Sequence, residues 1–227
     1  MTGERLLNCI ETYAAELQAI GGAPPPAPRW DQDWFARLDA AAAYAMVREC
    51  RPRRIVEVGA GHSTRFLARA VADGELATRI TSIDPAPRAS LQGLSIELLQ
   101  KKIQEAPASL FAGLGPDDIV FIDSSHQVKP GGDVEFLLRH VLPRLAPGVR
   151  VHFHDIFLPD GYPPAWAWRR YDEQDALAPL IRAGAFEVEF SSHEIASRHP
   201  ERLAQGALGR LPLVAGAIES SLWLTRT

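Results

Sequence analysis

The chain has 227 residues and a formal net charge of −4, and 46% of its residues are hydrophobic and 23% charged. This hydrophobic fraction excludes a disordered chain, and the negative net charge is unlike that of a nucleic-acid binder. The length fits one compact α/β domain. No apolar run reaches the ~20 residues of a membrane span. Glu4 and Glu11 interrupt the N-terminus where a secretory signal would be apolar, and the two cysteines, Cys9 and Cys50, have no disulfide pattern. We therefore expect a cytoplasmic protein whose partner is a small molecule, without a nucleic-acid or membrane partner.

Residues 1–29 predict an accessory helix and a linker. Apolar residues recur at helical spacing from Leu6 to Leu17, and glycines followed by Pro24-Pro25-Pro26 end the helix. The apolar stripe could cover an active site, pack on the rest of the chain, or join copies of the chain in a homo-oligomer. A single domain is predicted over residues 30–227.

A βαβ pattern surrounds two glycines in the middle of the first half. The apolar run Arg54–Val58 enters the turn Gly59-Ala60-Gly61, an amphipathic segment follows, and a second apolar run ends at Asp84. This order is typical of a Rossmann-like unit that binds an adenosine-containing cofactor. Glycines let the backbone turn and approach a ligand, and Asp84 is placed to accept hydrogen bonds from ribose hydroxyls. The alternative is that the glycines only make a loop.

Two details favour S-adenosylmethionine over a nicotinamide dinucleotide. The third glycine of a dinucleotide fingerprint would fall at Thr64. Glu57, just before the turn, would repel a pyrophosphate but attract the ammonium and sulfonium groups of S-adenosylmethionine. The predicted cofactor-binding residues are Glu57, Gly59, Ala60, Gly61, Ser63, Asp84 and Asp123.

Polar residues also follow the later predicted strands. The continuous apolar run Ile119–Ile122 indicates a parallel strand buried on both faces, and further strands are predicted at residues 95–99, 149–153, 186–190 and 220–224. Ligands of open α/β sheets bind at the carboxyl ends of the strands. We therefore expect six polar residues to converge on one edge: Glu57, Asp84, Asp123, His126, His154 and Asp155.

Four segments together resemble a known family. They are residues 57–64 (EVGAGHST), 83–85 (IDP), 121–126 (FIDSSH) and 153–156 (FHDI). In this order they are similar to class I S-adenosylmethionine-dependent methyltransferases, and more closely to the small O-methyltransferases that include macrolide-sugar enzymes. The resemblance implies an α/β fold: a Rossmann-like, doubly wound, mostly parallel seven-stranded sheet with the last strand antiparallel, plus N-terminal helices. It also implies O-methylation of a small hydroxylated metabolite, such as a sugar or polyketide.

His126 and Asp123 are the expected catalytic residues, with His126 as general base. Methyl transfer from a sulfonium needs an acceptor oxygen that is losing its proton, and imidazole titrates near neutral pH. A His126 that only hydrogen-bonds its loop is the alternative.

A divalent metal could assist the reaction, bound by Asp123, His154 and Asp155 and lowering the pKa of the acceptor. Metal-dependent relatives have an acid where this chain has His154, and histidine favours Mn, Fe or Zn over Mg. Alternatively, the metal site is lost and His154 acts in substrate binding or proton transfer.

The sequence leaves several residues and the alternative functions undecided. The segment after the fifth predicted strand is irregular and aromatic, with Trp166 and Trp168 following residues 158–164. It is interpreted either as a substrate lid or as a loop whose aromatic residues pack onto the domain. Asp39, on a helix predicted at residues 34–50, is interpreted as a solvated acid rather than a pocket residue. A non-catalytic S-adenosylmethionine-binding or regulatory module and a nicotinamide oxidoreductase are the alternative functions, and residues 196–216 have no assigned role.

Overall fold

The structure is a computed structural model that describes residues 3–227, in which seven strands form one sheet. The strands are β1 (Arg54–Val58), β2 (Arg79–Ile83), β3 (Glu97–Leu99), β4 (Ile119–Ile122), β5 (Arg150–Phe153), β6 (Phe186–Ser191) and β7 (Leu222–Arg226). Their order across the sheet is β3-β2-β1-β4-β5-β7-β6. Strands β1 to β5 pair in parallel, and β7 runs antiparallel to both β5 and β6. The predicted fold class is confirmed.

The helices are α1 (Gly3–Thr12), α2 (Ala14–Gln18), α3 (Arg37–Cys50), α4 (His62–Asp73), α5 (Ser109–Ala112), α6 (Asp133–Phe136), α7 (Glu173–Arg182), α8 (Ser192–Arg198), α9 (Pro200–Leu203) and α10 (Gly206–Arg210). Helix α3 packs against α4. Its middle is a run of buried alanines, and such short side chains allow neighbouring elements to approach closely. Within residues 3–227, no helix combines the length and apolar character needed to cross a bilayer.

The apolar residues of the central strands divide between two core clusters, one on each face of the sheet. Ile55 of β1 and Phe121 of β4 belong to the cluster that contains α3 and α4, whereas Val56 and Val120 belong to the other. Successive side chains of a strand point to opposite faces, so a strand buried on both faces is largely apolar. This requirement explains the continuous apolar run that predicted β4.

The N-terminal helices pack on the rest of the chain. Leu6, Ile10 and Leu17 are fully buried in the same core cluster as α3, which is one of the three arrangements that the sequence left open. The apolar stripe forms two helices rather than one, because the backbone leaves the helical conformation at Tyr13.

The segment at residues 196–216 covers these N-terminal helices. Helix α10 contacts α1, α2 and α3, and its Ala207 and Leu208 are buried in their core cluster. The amide of Ala207 donates a hydrogen bond to Glu11 at 2.8 Å. Residues 196–216, which had no role assigned from the sequence, thus pack over the N-terminal helices and bury their apolar side chains.

The carboxyl ends of the central strands meet at one edge of the sheet. Val58 is in register with Ile83 of β2 and with Ile122 of β4. The amide of Gly59 donates to the carbonyl of Ile83 at 3.0 Å, and the amide of Asp123 donates to the carbonyl of Val58 at 2.9 Å. Parallel pairing therefore brings the residues that follow three strands to the same place.

Candidate active site

A cavity of about 740 Å³ opens at this edge. Eight of the predicted site residues line it: Gly59, Ala60, Gly61, Asp84, Asp123, His126, His154 and Asp155. Glu57 and Ser63 are not among its lining residues. The structure thus brings most of the predicted cofactor and catalytic residues around a single cavity.

The two glycines of the turn have different roles. Gly59 has φ +87°, and a Cβ added there would lie 1.8 Å from the carbonyl oxygen of Asp123. Gly61 has φ −178°, which is extended backbone, and an added Cβ would meet nothing within 4 Å. Only Gly59 is therefore required by the turn itself. The absence of a side chain at Gly61 instead leaves open space beside the cavity.

Asp84 is held in place by backbone amides. One carboxylate oxygen accepts a hydrogen bond from the amide of Ala60 at 2.7 Å, and the other accepts from the amide of Ala86 at 2.7 Å. Each carboxylate oxygen has further acceptor capacity, so a ribose diol can bind as well. The carboxylate of Asp84 at the end of β2 therefore offers the hydrogen-bond acceptors that the predicted nucleoside needs.

Glu57 lies behind the glycine turn and is fully buried. Its carboxylate accepts hydrogen bonds from Ser63 at 2.8 Å, Thr64 at 2.7 Å and Ser82 at 2.6 Å. Burial outweighs these three hydrogen bonds and raises the pKa of Glu57 to about 7. This placement corrects the expectation that Glu57 and Ser63 contact the cofactor directly, because both side chains hold the turn from within the protein.

A buried cluster of charged groups forms the other wall of the cavity. The imidazole of His126 is 5% exposed, and its Nδ1 lies 2.9 Å from Glu173. Its Nε2 lies 3.3 Å from Asp123 and 3.6 Å from Asp155. His126 therefore contacts three carboxylates, of which the sequence predicted only the two at strand ends.

His154 occupies an equivalent position in the same cluster. Its Nδ1 lies 3.4 Å from Asp123 and 3.5 Å from Asp155, and its Nε2 lies 3.5 Å from Asp39. Asp39 is fully buried and accepts hydrogen bonds from the amides of Ser220 and Ser221, so the interpretation of Asp39 as a solvated acid is wrong.

The carboxylates set the protonation of both histidines. Burial alone disfavours a charged imidazole, but hydrogen bonds from His126 to Asp123 and Glu173 raise the pKa of His126 well above its usual value. The charges of Asp155 and Asp123 outweigh burial in the same way and raise the pKa of His154. The two imidazoles in turn overcome the effect of burial on Asp123 and lower the pKa of its carboxyl. The cluster is therefore a set of imidazolium–carboxylate pairs at neutral pH.

The three predicted metal ligands lie in this cluster, where Nδ1 of His154 is 3.4 Å from Asp123 and 3.5 Å from Asp155. Among residues 3–227, no group of three or more His, Cys, Asp or Glu side chains is arranged to hold a metal ion. Asp123, His154 and Asp155 do come together, but as partners of one another.

Sequence reasoning missed Glu173, which lies 47 residues after His126 at the start of α7. No spacing or motif pairs these two positions, because their contact depends on how α7 packs against the sheet edge. His126 and Asp155 also have positive φ, at 59° and 54°. Non-glycine residues in this conformation are uncommon and concentrate at functional sites.

The segment after β5 contributes aromatic residues to the cavity. Trp166 and Tyr171 line it, and Trp166 also packs edge-on against Phe157 with ring centroids 5.1 Å apart. Trp168 is 75% exposed. The lid loop is tied down because Arg198 donates hydrogen bonds to Asp160 at 3.0 and 3.1 Å. Trp166 thus lines the cavity and also packs the loop onto the domain, and its role as part of a substrate lid stays a prediction.

Comparison with known proteins agrees with this geometry. Residues 56–156 match the family model described as "Methyltransferase domain". An S-adenosylhomocysteine-bound methyltransferase of Podospora anserina has 16% identity and a TM-score of 0.53, covering 97% of this chain and 88% of that one. An O-methyltransferase of Bacillus cereus in complex with S-adenosylhomocysteine has 13% identity and a TM-score of 0.50, covering 98% and 91%.

A putative caffeoyl-CoA O-methyltransferase of Staphylococcus aureus has 15% identity and a TM-score of 0.50, covering 96% of this chain and 91% of that one. No curated protein sequence matches the chain. The chain has the class I methyltransferase fold. The family match begins within β1 at Val56 and ends at Ile156, so it reaches through β5 and excludes α7 and the aromatic segment that follows β5.

The two glycines provide a first test. Gly59→Ala should lower the free energy of unfolding by about 2–4 kcal/mol, because alanine is strained at positive φ and its Cβ collides with the Asp123 carbonyl. Gly61→Ala, the matched control, should keep wild-type stability but weaken S-adenosylhomocysteine binding, since its methyl group enters the cavity. Urea unfolding and calorimetry measure the two effects, and equal destabilisation by both variants would contradict this assignment.

Glu57 provides a second test, through the pH dependence of stability. Its folded pKa of about 7 exceeds the usual value of 4.5, so its contribution to stability is full below about pH 4.5 and is lost as the pH rises through 7. The full shift corresponds to about 3 kcal/mol. Glu57→Gln should remove this part of the pH dependence in urea unfolding between pH 5 and 8.5. The exposed Glu105→Gln is the control, and an unchanged profile in Glu57→Gln would refute the buried, protonatable carboxyl.

Proposed function

We propose that the protein is an S-adenosylmethionine-dependent O-methyltransferase that acts on a small hydroxylated metabolite. One observation carries the proposal: the glycine turn with Asp84 and the cluster around His126 line the same cavity. Its volume of about 740 Å³ lies within the range of about 300–1,000 Å³ that small-molecule sites occupy. The methyltransferase match over residues 56–156 supports the reaction class, and the likeness to an O-methyltransferase supports oxygen as the acceptor atom.

The chain's own residues fit the adenosyl part of the cofactor at the end of β2. Asp84 would accept hydrogen bonds from the ribose, and the backbone from Gly59 to Gly61 would lie against the ligand without side chains in between. When bound, S-adenosylmethionine supplies an activated methyl group on its sulfonium. The protein must then orient an acceptor hydroxyl towards that methyl group and remove the hydroxyl proton.

His126 is the residue we assign to proton removal. Glu173 lies next to Nδ1, so a neutral His126 would keep its proton on Nδ1. The unprotonated Nε2, which faces Asp123 and Asp155, would then be the atom that accepts the hydroxyl proton. The carboxylates raise the pKa of His126, which makes it a stronger base but leaves less of the neutral form at pH 7. The rate of methyl transfer should therefore increase as the pH rises above neutrality.

Metal assistance stays a second, untested form of the same reaction. The cavity does offer hard oxygen ligands, since Asp123 and Asp155 both line it. Such a reaction would require His154 to lose its proton or to leave the ligand set. The sugar or polyketide acceptor expected from the macrolide branch also stays a prediction.

Calorimetry tests the cofactor assignment. The wild-type protein should bind S-adenosylmethionine and S-adenosylhomocysteine and should not bind NADH, because Thr64 stands where the third dinucleotide glycine would be. The titration is repeated with EDTA and with added Mg²⁺ or Mn²⁺. No binding of either adenosyl compound would disprove the proposed function, and binding of NADH would support an oxidoreductase. Methyl transfer that EDTA abolishes and a metal restores would support the metal-assisted form.

Substitution of His126 separates an enzyme from a binding module. His126→Asn should lower the rate of methyl transfer by about 10²–10⁴-fold with little change in S-adenosylhomocysteine affinity, because general-base catalysis contributes about that much. Asparagine tolerates the positive φ of this position better than alanine does. The rate is measured with an acceptor that the wild type methylates, found by screening hydroxylated sugars, polyketides and hydroxybenzoates.

Two further variants control this experiment. His199→Asn changes an exposed histidine and should have no effect. Glu173→Gln keeps the size of the side chain but removes its charge, so the pKa of His126 should fall and the pH–rate profile should move to lower pH. If His126→Asn transfers methyl groups at the wild-type rate, His126 is not the general base. A wild type that binds cofactor but methylates nothing would favour the regulatory module.

A further inference from the structure

Arg169 lines the cavity within a group of three aromatic rings. Its Cζ lies 4.3 Å from the ring centroid of Trp166, 5.1 Å from that of Trp168 and 5.4 Å from that of Tyr171. One terminal nitrogen donates a hydrogen bond to the Tyr171 hydroxyl at 3.0 Å. Contacts with these rings restrict the guanidinium to one place, which lowers the entropy cost of using it to bind a ligand.

Arg169 has no acidic partner among the described residues 3–227. Its guanidinium contacts aromatic rings and the Tyr171 hydroxyl rather than a carboxylate, and its buried Nε has no hydrogen-bond partner. The acids nearest the reaction centre are already engaged, since Asp84 accepts from amides and Asp123 pairs with both histidines. A guanidinium is always charged, and a partly buried charge without a partner favours binding of an anion.

Tyr171 links Arg169 to the residue proposed as the base. The centroid of its ring lies 4.7 Å from that of His126, and its hydroxyl accepts a hydrogen bond from Arg169. The guanidinium and His126 therefore border the same part of the cavity wall. Trp166 and Tyr171 also present aromatic surface to the cavity, against which a ring can pack.

We propose that Arg169 binds a carboxylate of the methyl acceptor, which is therefore a hydroxylated ring compound that also carries an acid group. The planar guanidinium can bind a carboxylate through two parallel hydrogen bonds. This inference rests on the proposed function, because it names the substrate class of the same cavity. It predicts a preference for acids over neutral analogues that depends on Arg169 alone.

The test is calorimetric binding to the S-adenosylhomocysteine-saturated protein. The probes are para-hydroxybenzoate, meta-hydroxybenzoate and para-hydroxyphenylacetate, each compared with its uncharged amide. At least one acid should bind the wild type about 10- to 100-fold more tightly than its amide, the range expected for hydrogen bonds to a charged group. Arg169→Met should abolish this preference while S-adenosylhomocysteine affinity stays unchanged, and Arg169→Lys should restore part of it. Arg170→Met, at the exposed neighbouring position, should behave as wild type.

Several outcomes would overturn the inference. Amides that bind as well as acids, no binding of any acid, or a preference that survives in Arg169→Met would each do so. If Arg170→Met loses the preference for acids to the same extent, the effect comes from general surface charge rather than from Arg169. Loss of S-adenosylhomocysteine affinity in Arg169→Met would instead assign the guanidinium to the carboxylate of the cofactor. Failure of the wild type to bind S-adenosylhomocysteine at all would disprove the proposed function itself, so the two failures are distinguishable.

Discussion

The site depends on the close approach of two strand ends, β1 and β4. Gly59 lies so near the backbone of Asp123 that any side chain there would overlap its carbonyl oxygen. This contact sets the direction in which the chain leaves β1, and the amide of Ala60 then bonds to Asp84. Behind the turn, the carboxylate of Glu57 accepts hydrogen bonds from three hydroxyl groups. Two of them belong to the first turn of α4, so Glu57 holds the start of this helix against β1. A backbone turn, rather than a set of contacting side chains, is therefore what shapes the cofactor half of the cavity.

The other half of the cavity is organised by charge. Two histidines are buried among four carboxylates, and their protonation offsets much of the cost of burying the acids. The cluster joins residues from the ends of β4 and β5 to Glu173 of α7 and to Asp39 of α3. Because the same groups that raise the pKa of His126 also fix its orientation, the proposed base and the local structure depend on one set of contacts. Arg169 lies outside this set and lines the cavity among aromatic rings.

Much of the fold follows from local signals. The apolar runs of β1, β2 and β4, the glycine turn and the acids at strand ends are all visible in the sequence, and parallel pairing makes their convergence predictable. Less regular elements carry weaker local signals. The helix that begins at Asp133 is an α-helix only as far as Phe136, then becomes a π-turn and a 3₁₀ turn, with Pro143 unable to donate a backbone hydrogen bond.

The sequence by itself determined the sheet, its cofactor turn and the set of polar residues at its edge, because periodicity and strand ends are local properties of the chain. Only the tertiary structure decided how those residues are used. It buried Glu57 behind the turn, paired His126 with Glu173, and brought Arg169 to the cavity, where no acid of the described residues 3–227 pairs with it. Burial and pairing are set by elements distant along the chain, and they control protonation and charge, so no local pattern could reveal them.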